Sequence, residues 1–254
     1  MKRLSQRLAN DGTVVSAWSG AQDPMTVSMI CGAGFDAFTF DMQHNMATET
    51  SVIRCMPSVA AAGLPGVVRI PVGRFEMASK ALDAGAHMII APMVNSVDDA
   101  RALASFCKYP PTGERSYGVG YVSALLGTGV ADYAGAADRE TLCIAMIETV
   151  TAFDALDDIL AVEGIDGVFC GPSDLSISIA NAPTPTPFGE SSIAEVREIA
   201  GRARAANKLA CTYCASAEHA NLAHGMGYRY IALGGDVPYL RRGVDNLLGG
   251  LSFR

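Results

Sequence analysis

Short apolar runs alternate with longer amphipathic segments along the whole sequence. Most of the runs are continuous stretches of Val, Ile, Ala and Phe, which is the pattern of parallel strands covered on both faces. Between two such runs, residues 151–163 place Phe153, Leu156 and Leu160 on one face, which predicts an amphipathic helix. The pattern predicts strands at residues 13–19, 37–42, 66–72, 87–94, 142–148, 167–171, 209–214 and 228–234.

Glycines mark the boundaries between the predicted helices and the strands that follow them. A glycine in this place is typical of a C-terminal helix cap. Eight βα units in a chain of 254 residues predict a single (β/α)8 TIM barrel of parallel strands spanning residues 1–254. Residues 109–138 and 175–190 are predicted to be irregular, without a domain boundary. The caps are predicted at Gly34, Gly63, Gly85, Gly164 and Gly227.

Composition narrows the class of protein. Apolar residues make up 50% and charged residues 18% of the chain, which is typical of a folded core and excludes a disordered chain. The net charge of −7 argues against nucleic acid or an anionic membrane as the main partner. The longest apolar run, residues 88–94, is too short to span a bilayer, and the first residues lack the apolar segment of a signal peptide. A cytoplasmic protein is predicted.

The cysteines do not indicate a disulfide framework or a zinc site. There are seven, an odd number spread through apolar stretches, which is typical of reduced core thiols. Only four residues separate Cys211 and Cys214 from His219 and His224, whereas a zinc finger has about twelve at this point. These cysteines are therefore predicted to pack in the core, and their spacing in a strand points them to opposite faces.

Polar residues finish several of the predicted strands. Because active sites of such barrels lie at the C-terminal ends of the strands, these residues are the candidates for chemistry. Asp41 and His44 follow strand two, Glu148 ends strand five, and Asp174 follows strand six. Arg69 lies in strand three among Val, Ile and Pro, where its burial is costly without an anionic partner. That partner is either an anionic substrate or an internal carboxylate, Asp41 or Glu148, with which Arg69 would form an ion pair.

Glu148 and Asp174 come from neighbouring strands, so their carboxylates can converge. Two hard oxygen ligands with space for water and substrate suit Mg²⁺ or Mn²⁺. The alternative is that these carboxylates serve helix ends, since Asp174 precedes a short turn and Thr149 is a natural N-cap residue. Trp18, the single tryptophan, ends strand one and either forms a wall for the substrate or packs at the barrel mouth.

The positions of lysine and histidine limit the mechanism. Lys80 and Lys108 fall in predicted helices and Lys208 precedes strand seven, so neither these nor Lys2 offers a Schiff-base lysine in the barrel mouth. His44 is the histidine predicted at the reactive face, where an imidazole could move protons near neutral pH. No nucleotide cofactor is predicted, because the Gly-Val-Gly at residues 118–120 lacks the dinucleotide fingerprint.

A set of short motifs, in order over nearly the whole chain, resembles the HpcH/HpaI aldolase/citrate lyase family of metal-dependent pyruvate aldolases. This resemblance implies a barrel enzyme that reversibly cleaves 4-hydroxy-2-oxo acids to pyruvate and an aldehyde, using Mg²⁺, Mn²⁺ or Co²⁺. The motifs are AGFD at 33–36, DMQH at 41–44, VRIP at 68–71, PMV at 92–94, YPPTGER at 109–115, IET at 147–149, VEGIDG at 162–167 and GPSDLS at 171–176.

The resemblance also implies roles for individual residues. Glu148 and Asp174 match the metal ligands, His44 matches the catalytic base, and Arg69 matches the residue that stabilises the enolate. Asp83 matches a carboxylate that raises the basicity of the histidine. The segment that holds the carboxylate of pyruvate, beside Asp174, corresponds to Gly171, Pro172 and Ser173.

The resemblance further implies assembly, since family members are typically hexamers, dimers of trimers that exchange their last helix. We therefore expect a homo-oligomer, either a trimer or a hexamer. The small-molecule partners expected are an oxo acid and an aldehyde.

The chain departs from the family pattern at three places. Met42 and Gln43 stand where Gly-Glu is common, Met146 replaces a glutamine that contacts substrate in close relatives, and residues 121–129 lack an arginine suited to acidic aldehydes. These departures favour a neutral or hydroxylated aldehyde over a dicarboxylic substrate. They leave open a CoA-ester lyase of the citrate or malyl type, a non-catalytic barrel that binds metal and oxo acid, and a sugar-acid aldolase of the same family.

Overall fold

The protein is described by a computed structural model that covers residues 4–9 and 12–252. Parallel strands pair in chain order, and the last pairs with the first to close an eight-stranded barrel. The predicted (β/α)8 fold is thereby confirmed. The strands are β1 Val14–Ser19, β2 Ala37–Asp41, β3 Gly66–Arg69, β4 Ala86–Ala91, β5 Leu142–Ile147, β6 Gly167–Cys170, β7 Leu209–Cys214 and β8 Tyr230–Leu233.

Helices cover the outside of the barrel and its ends. Among the described residues, no helix combines the length and apolar character needed to cross a membrane. The helices are α1 Leu4–Ala9, α2 Pro24–Cys31, α3 Glu49–Ala61, α4 Met77–Asp83, α5 Val97–Cys107, α6 Gly120–Leu126, α7 Val130–Glu140, α8 Val150–Asp154, α9 Leu156–Leu160, α10 Pro172–Ala180, α11 Ile193–Ala205, α12 Ala217–Met226 and α13 Asp236–Gly249.

Two apolar cores lie on the two sides of the strands. The inner core fills the barrel and includes Leu4 and Leu8 of α1, while the outer core lies between the strands and the helices. Successive side chains of a strand point to opposite faces, so both cores draw on every strand, which explains the continuous apolar runs. Cys211 belongs to the inner core and Cys214 to the outer core, which confirms the prediction that they face opposite sides.

Of the predicted glycine caps, Gly227 caps α12, and Gly63 and Gly85 directly follow the capping residues of α3 and α4, whereas Gly34 and Gly164 lie two and three residues beyond the caps of α2 and α9. All five glycines have φ between 72° and 107°, the left-handed region that glycine adopts without strain. Several element boundaries also differ from the prediction. β3 ends at Arg69 rather than at residue 72, because Pro71 has no N–H for the next hydrogen bond of the sheet. β4 ends at Ala91 rather than at residue 94, before Met93, which has φ of 54°.

Helical segments also differ from the sequence pattern. The helix predicted at residues 151–163 is divided into α8 and α9 at Ala155, whose φ of −88° and ψ of 4° leave the helical region. The stretch at 109–138, predicted to be irregular, contains α6 and most of α7. α7 buries Tyr133, Ala136 and Ala137, and an apolar face made largely of alanine gives a weak signal in the sequence.

Candidate active site

A cavity of about 300 Å³ opens at the C-terminal ends of the strands. This volume is at the lower end of the range for small-molecule sites. Loops and strand ends from β1, β2, β3, β5, β6, β7 and β8 line the cavity, so residues distant in sequence meet there. The residues predicted from sequence that line it are Trp18, His44, Arg69, Gly171, Pro172, Ser173 and Asp174.

Arg69 forms a buried ion pair with Asp41 at the floor of the cavity. The register of β2 and β3 places the two residues side by side. Arg69 Nε and Nη2 each donate to a different carboxylate oxygen of Asp41, both at 2.7 Å. Burial alone would raise the pKa of Asp41, but the hydrogen bonds and charge of Arg69 outweigh it and hold that pKa below its usual value. Of the two internal partners considered from the sequence, Asp41 is therefore the one that pairs with Arg69.

Trp18 packs against this ion pair and orients it. The Arg69 guanidinium lies 4.6 Å from the centre of the Trp18 ring, a cation–π contact. The indole Nε1 donates to Asp41 Oδ2 at 3.2 Å. Arg69 contacts Asp41 through Nε and Nη2, so the N–H groups of Nη1 take no part in this ion pair.

The segment after β2 is a turn built on the side chain of Asp41. Asp41 Oδ1 accepts from the backbone N–H of Gln43 at 3.0 Å and, more weakly, from that of His44 at 3.4 Å. This local side-chain to backbone bonding is the usual way in which an aspartate fixes a turn. The turn presents the exposed His44 side chain to the cavity. Met42 instead packs in the outer core, so this departure from the family pattern does not change the cavity wall.

Glu148 lies buried beside the cavity, at the end of β5. Its Oε1 accepts from the backbone N–H of Met93 at 2.7 Å. Its Oε2 lies so close to Gly171 that a Cβ at that position would approach it to 2.6 Å, so the site needs a glycine there. Burial, partly offset by the Met93 N–H and reinforced by Asp174, raises the pKa of Glu148 to about 7. The charge of Arg69 also lowers this pKa, but that guanidinium is paired with Asp41 and does not offset the burial of Glu148.

Asp174 lies in the first turn of α10 and is exposed to the cavity. The same turn begins with Gly171, Pro172 and Ser173. Gly171 donates its N–H to the carbonyl of Ile147 and Pro172 has none, so Ser173 is the first residue of this turn whose N–H can meet an anionic ligand. Thr149 caps α8 by accepting from the N–H of Ala152 at 3.0 Å, which leaves Glu148 free of that role.

The carboxylates do not form a complete metal cage. Within residues 4–9 and 12–252, no cluster of three or more His, Cys, Asp or Glu side chains could hold a metal ion by itself. Glu148 and Asp174 would therefore provide two ligands, and the remaining positions would fall to water and substrate. This arrangement is typical of Mg²⁺, which usually keeps several non-protein ligands.

An aromatic wall forms one side of the cavity. The Trp18 ring lies 5.8 Å from that of Phe169 on β6 and 5.7 Å from that of Tyr213 on β7, measured between ring centres. Met146 adds a thioether beside them. Sequence reasoning missed Phe169 and Tyr213, although both are aromatic and lie within one residue of a strand end.

Asp83 lies away from this cavity. It is the last residue of α4, just before β4 begins, whereas His44 follows the opposite end of β2. Its carboxylate accepts from Nη2 of the buried Arg115 at 2.7 Å. Within one chain, the structure does not bring Asp83 to His44, and its effect on the histidine stays a prediction.

The three lysines that the structure describes also lie away from the cavity. Lys108 is buried and pairs with Asp166 at 2.8 Å, and Lys208 donates to the carbonyl of Ile165. Lys80 lies in α4, and Lys2 lies outside the described residues.

Comparison with known proteins decides the family. The profile of the family described as HpcH/HpaI aldolase/citrate lyase matches residues 15–242. This chain belongs to the HpcH/HpaI aldolase/citrate lyase family. It is 32% identical to a hydroxypyruvate/pyruvate aldolase of Deinococcus radiodurans, over 94% of this chain and 86% of the relative. It is 30% identical to a 2-keto-3-deoxy-L-rhamnonate aldolase of Shigella sonnei, over 96% of this chain and 91% of the relative.

Solved structures agree with this assignment. The HpcH/HpaI aldolase from Desulfitobacterium hafniense superposes with a TM-score of 0.87 at 26% identity, over 99% of each chain. The citrate lyase beta subunit from M. tuberculosis, solved with oxaloacetate and magnesium, has a TM-score of 0.55 at 16% identity, over 87% of this chain and 91% of that one. That likeness shows the fold alone. The sequence-based predictions of an HpcH/HpaI family member and of an aldolase are confirmed.

Proposed function

We propose that this HpcH/HpaI family member is a class II pyruvate aldolase, a carbon–carbon lyase that reversibly cleaves a 4-hydroxy-2-oxo acid to pyruvate and an aldehyde. The observation that carries the proposal is that a rigidly held Arg69 and Asp174 line one cavity of this barrel, with the buried carboxylate of Glu148 beside it and close enough to Asp174 for the two charges to interact. A small oxo acid fits this set because it offers a carboxylate and a carbonyl oxygen side by side.

Glu148 and Asp174 are the residues proposed to hold a divalent cation, Mg²⁺, Mn²⁺ or Co²⁺. The fit follows from charge, because the pKa of Glu148 is raised by burial and by Asp174, and a cation would stabilise both carboxylates in their ionised form. When bound, such an ion acts as a Lewis acid that polarises the oxo group of the substrate.

Arg69 and the first turn of α10 are proposed to bind and orient the oxo acid. The first-turn N–H of α10 at Ser173 suits the carboxylate of pyruvate, whereas Gly171 donates its N–H to the carbonyl of Ile147 at 3.2 Å and shapes the turn. Arg69 lines the cavity, and the N–H groups of Nη1, which take no part in the pair with Asp41, are proposed to stabilise the negative charge that develops on the C2 oxygen. Trp18 forms the apolar wall for the aldehyde.

His44 is proposed to transfer the protons of the reaction. In the direction of aldol addition it accepts a proton from the methyl group of pyruvate, and in cleavage it accepts the proton of the C4 hydroxyl. Its side chain is exposed at the cavity, so a bound water can relay the proton.

Replacing His44 by alanine is expected to slow exchange of the pyruvate methyl protons with heavy water by about 10²-fold or more, because general acid–base catalysis contributes at least that much. The exchange is followed by NMR with pyruvate and Mn²⁺ or Mg²⁺ and no aldehyde. His224→Ala, an exposed histidine on α12, is the matched control and should exchange at the rate of the unmodified enzyme. Unchanged exchange in His44→Ala would rule out this role.

A panel of aldehydes offered with pyruvate or hydroxypyruvate and Mn²⁺ tests the function itself. Products are identified by mass. We expect neutral and hydroxylated aldehydes to react with higher kcat/KM than succinic semialdehyde, because the aromatic wall and Met146 offer no cation for a second carboxylate. Absence of any aldol product would contradict the proposal. Cleavage of a malyl or citramalyl thioester would instead favour the CoA-ester lyase, and oxo-acid binding without turnover would favour a non-catalytic barrel.

We further propose that the protein is a homo-oligomer, a trimer or a hexamer, assembled through α13. This helix has no buried residue, and apolar side chains recur on it at Val237, Leu240, Val244 and Leu247. Leu240 and Leu247 are 71% and 74% exposed, and a continuous apolar stripe of this kind marks a contact surface.

Leu240→Asp together with Leu247→Asp is expected to lower the solution mass toward that of one chain, because two charges cannot be buried in an apolar contact without a large cost. Light scattering after size-exclusion chromatography measures this mass. Asn246→Asp, which adds a charge on the same exposed helix, is the control and should keep the assembly. An unchanged mass in the double variant would show that α13 does not hold the copies together.

A further inference from the structure

Asp41 is a buried carboxylate at the centre of the site. The proposed reaction assigns it no proton transfer and no contact with the metal or the substrate. Asp41 is fully buried, and its oxygens accept hydrogen bonds from Arg69, Trp18, Asn45 and the backbone of the following turn. From these contacts we propose that Asp41 is a positioning residue that fixes the Arg69 guanidinium and the His44 turn in one arrangement, an inference that rests on the proposed function.

The first half of this arrangement is the orientation of Arg69. Two parallel hydrogen bonds of 2.7 Å join Arg69 to Asp41, so the guanidinium cannot rotate without breaking both. Stacking on Trp18 at 4.6 Å restrains it from one face, and Trp18 is itself held by its bond to Asp41. The ion pair is electrically balanced before substrate binds. Arg69 therefore acts on the substrate through the direction of its remaining N–H groups, more than through the net charge of the Arg69–Asp41 pair.

The second half is the turn that carries His44. One oxygen of Asp41 accepts from the N–H of Gln43 and the other from the Asn45 side chain, at 3.0 and 2.7 Å. Asn45 is confined further, because a Cβ at Gly20 would approach its own Cβ to 2.4 Å. The exposed imidazole of His44 therefore takes its position from a backbone that Asp41 holds. A single carboxylate thus sets the distance between the proton-transfer group and the charge-stabilising group.

Asp41→Asn tests this inference, because it keeps the shape of the side chain but replaces one accepting oxygen by an amino group. We expect exchange of the pyruvate methyl protons to slow by about 10-fold to 100-fold, since misplaced catalytic groups lose rate on this scale. Asp36→Asn is the matched control. Asp36 precedes β2 at the opposite end of the barrel, pairs with Arg7 and accepts from the N–H of Val15 at 3.0 Å. The Asp36→Asn variant should exchange the pyruvate methyl protons within about twofold of the rate of the unmodified enzyme.

A double-mutant comparison separates positioning from a merely structural role. If Asp41 acts through Arg69, Asp41→Asn should slow exchange clearly less in an Arg69→Ala background than in the unmodified enzyme. Fully additive effects, or exchange by folded Asp41→Asn at the unmodified rate, would overturn the inference. Thermal melting followed by circular dichroism establishes folding.

A milder variant covers the case in which Asp41→Asn does not fold. Asn45→Ala removes one donor to Asp41 and keeps the ion pair, and it is expected to slow exchange by about threefold or more. Exchange at the unmodified rate in that variant would then overturn the inference. If the unmodified enzyme exchanges no pyruvate protons in the presence of a divalent ion, the proposed function fails instead. The two failures are therefore distinguishable.

Discussion

Glu148→Gln is expected to abolish aldol cleavage and to weaken binding of a divalent cation by more than about 10²-fold, since loss of even an indirect partner of a metal ligand costs 10-fold to 100-fold. The amide keeps the size of the side chain and can still accept from the N–H of Met93. It removes the charge that a cation would neutralise. Because burial already raises the pKa of Glu148 to about 7, losing this carboxylate should not destabilise the fold without metal.

Mn²⁺ titration followed by calorimetry and by thermal melting measures this effect independently of activity. Mn²⁺ that binds only the folded state raises the free energy of unfolding. The melting temperature of the unmodified protein should therefore rise with Mn²⁺, and that of Glu148→Gln should not. Asp174→Asn should behave in the same way. Asp157→Asn removes an exposed carboxylate that pairs with Arg202 and is the control with the same charge change. Full activity of the unmodified enzyme in excess chelator would contradict the metal requirement.

Arg69→Ala is expected to lower kcat for aldol cleavage by roughly 10²–10³-fold, the range found when an enzyme loses one preorganised donor to a developing oxyanion. Arg69 lines the cavity while its Nε and Nη2 are bound to Asp41, so alanine removes both the proposed donor and the ion pair that holds it in place. Arg69→Lys should recover little of the loss, because an ammonium group cannot reproduce the two parallel bonds to Asp41.

Steady-state kinetics with separate kcat and KM values test this role. A rise in KM with unchanged kcat would mean that Arg69 binds ground state and transition state equally, which contradicts the proposal. Arg202→Ala is the matched control, because Arg202 also pairs with an aspartate and lies 5.4 Å from an aromatic ring, yet stands away from the cavity. Arg69→Ala leaves the buried charge of Asp41 without its partner, which typically lowers the free energy of unfolding by about 3–5 kcal/mol. The variant must therefore be assayed below its own melting temperature.

The amino-acid sequence by itself determined the barrel and the end of it that carries the chemistry. Continuous apolar runs specify strands covered on both faces, and glycines such as Gly85 and Gly227 specify where helices end. Since parallel strands share one C-terminal edge, residues that finish strands are placed together without knowledge of any contact. For this reason His44, Arg69 and Asp174 could be predicted to share one cavity.

Only the tertiary structure decided which of these groups touch. The sequence allowed Arg69 to pair with Asp41 or Glu148, and the register between β2 and β3 selects Asp41. The same holds for the aromatic wall of Phe169 and Tyr213, since an aromatic residue near a strand end faces either core until the inward positions are fixed. Hydrophobic pattern specifies the face and the end of each element, whereas hydrogen-bond partners depend on side chains from distant segments that meet only when the barrel closes.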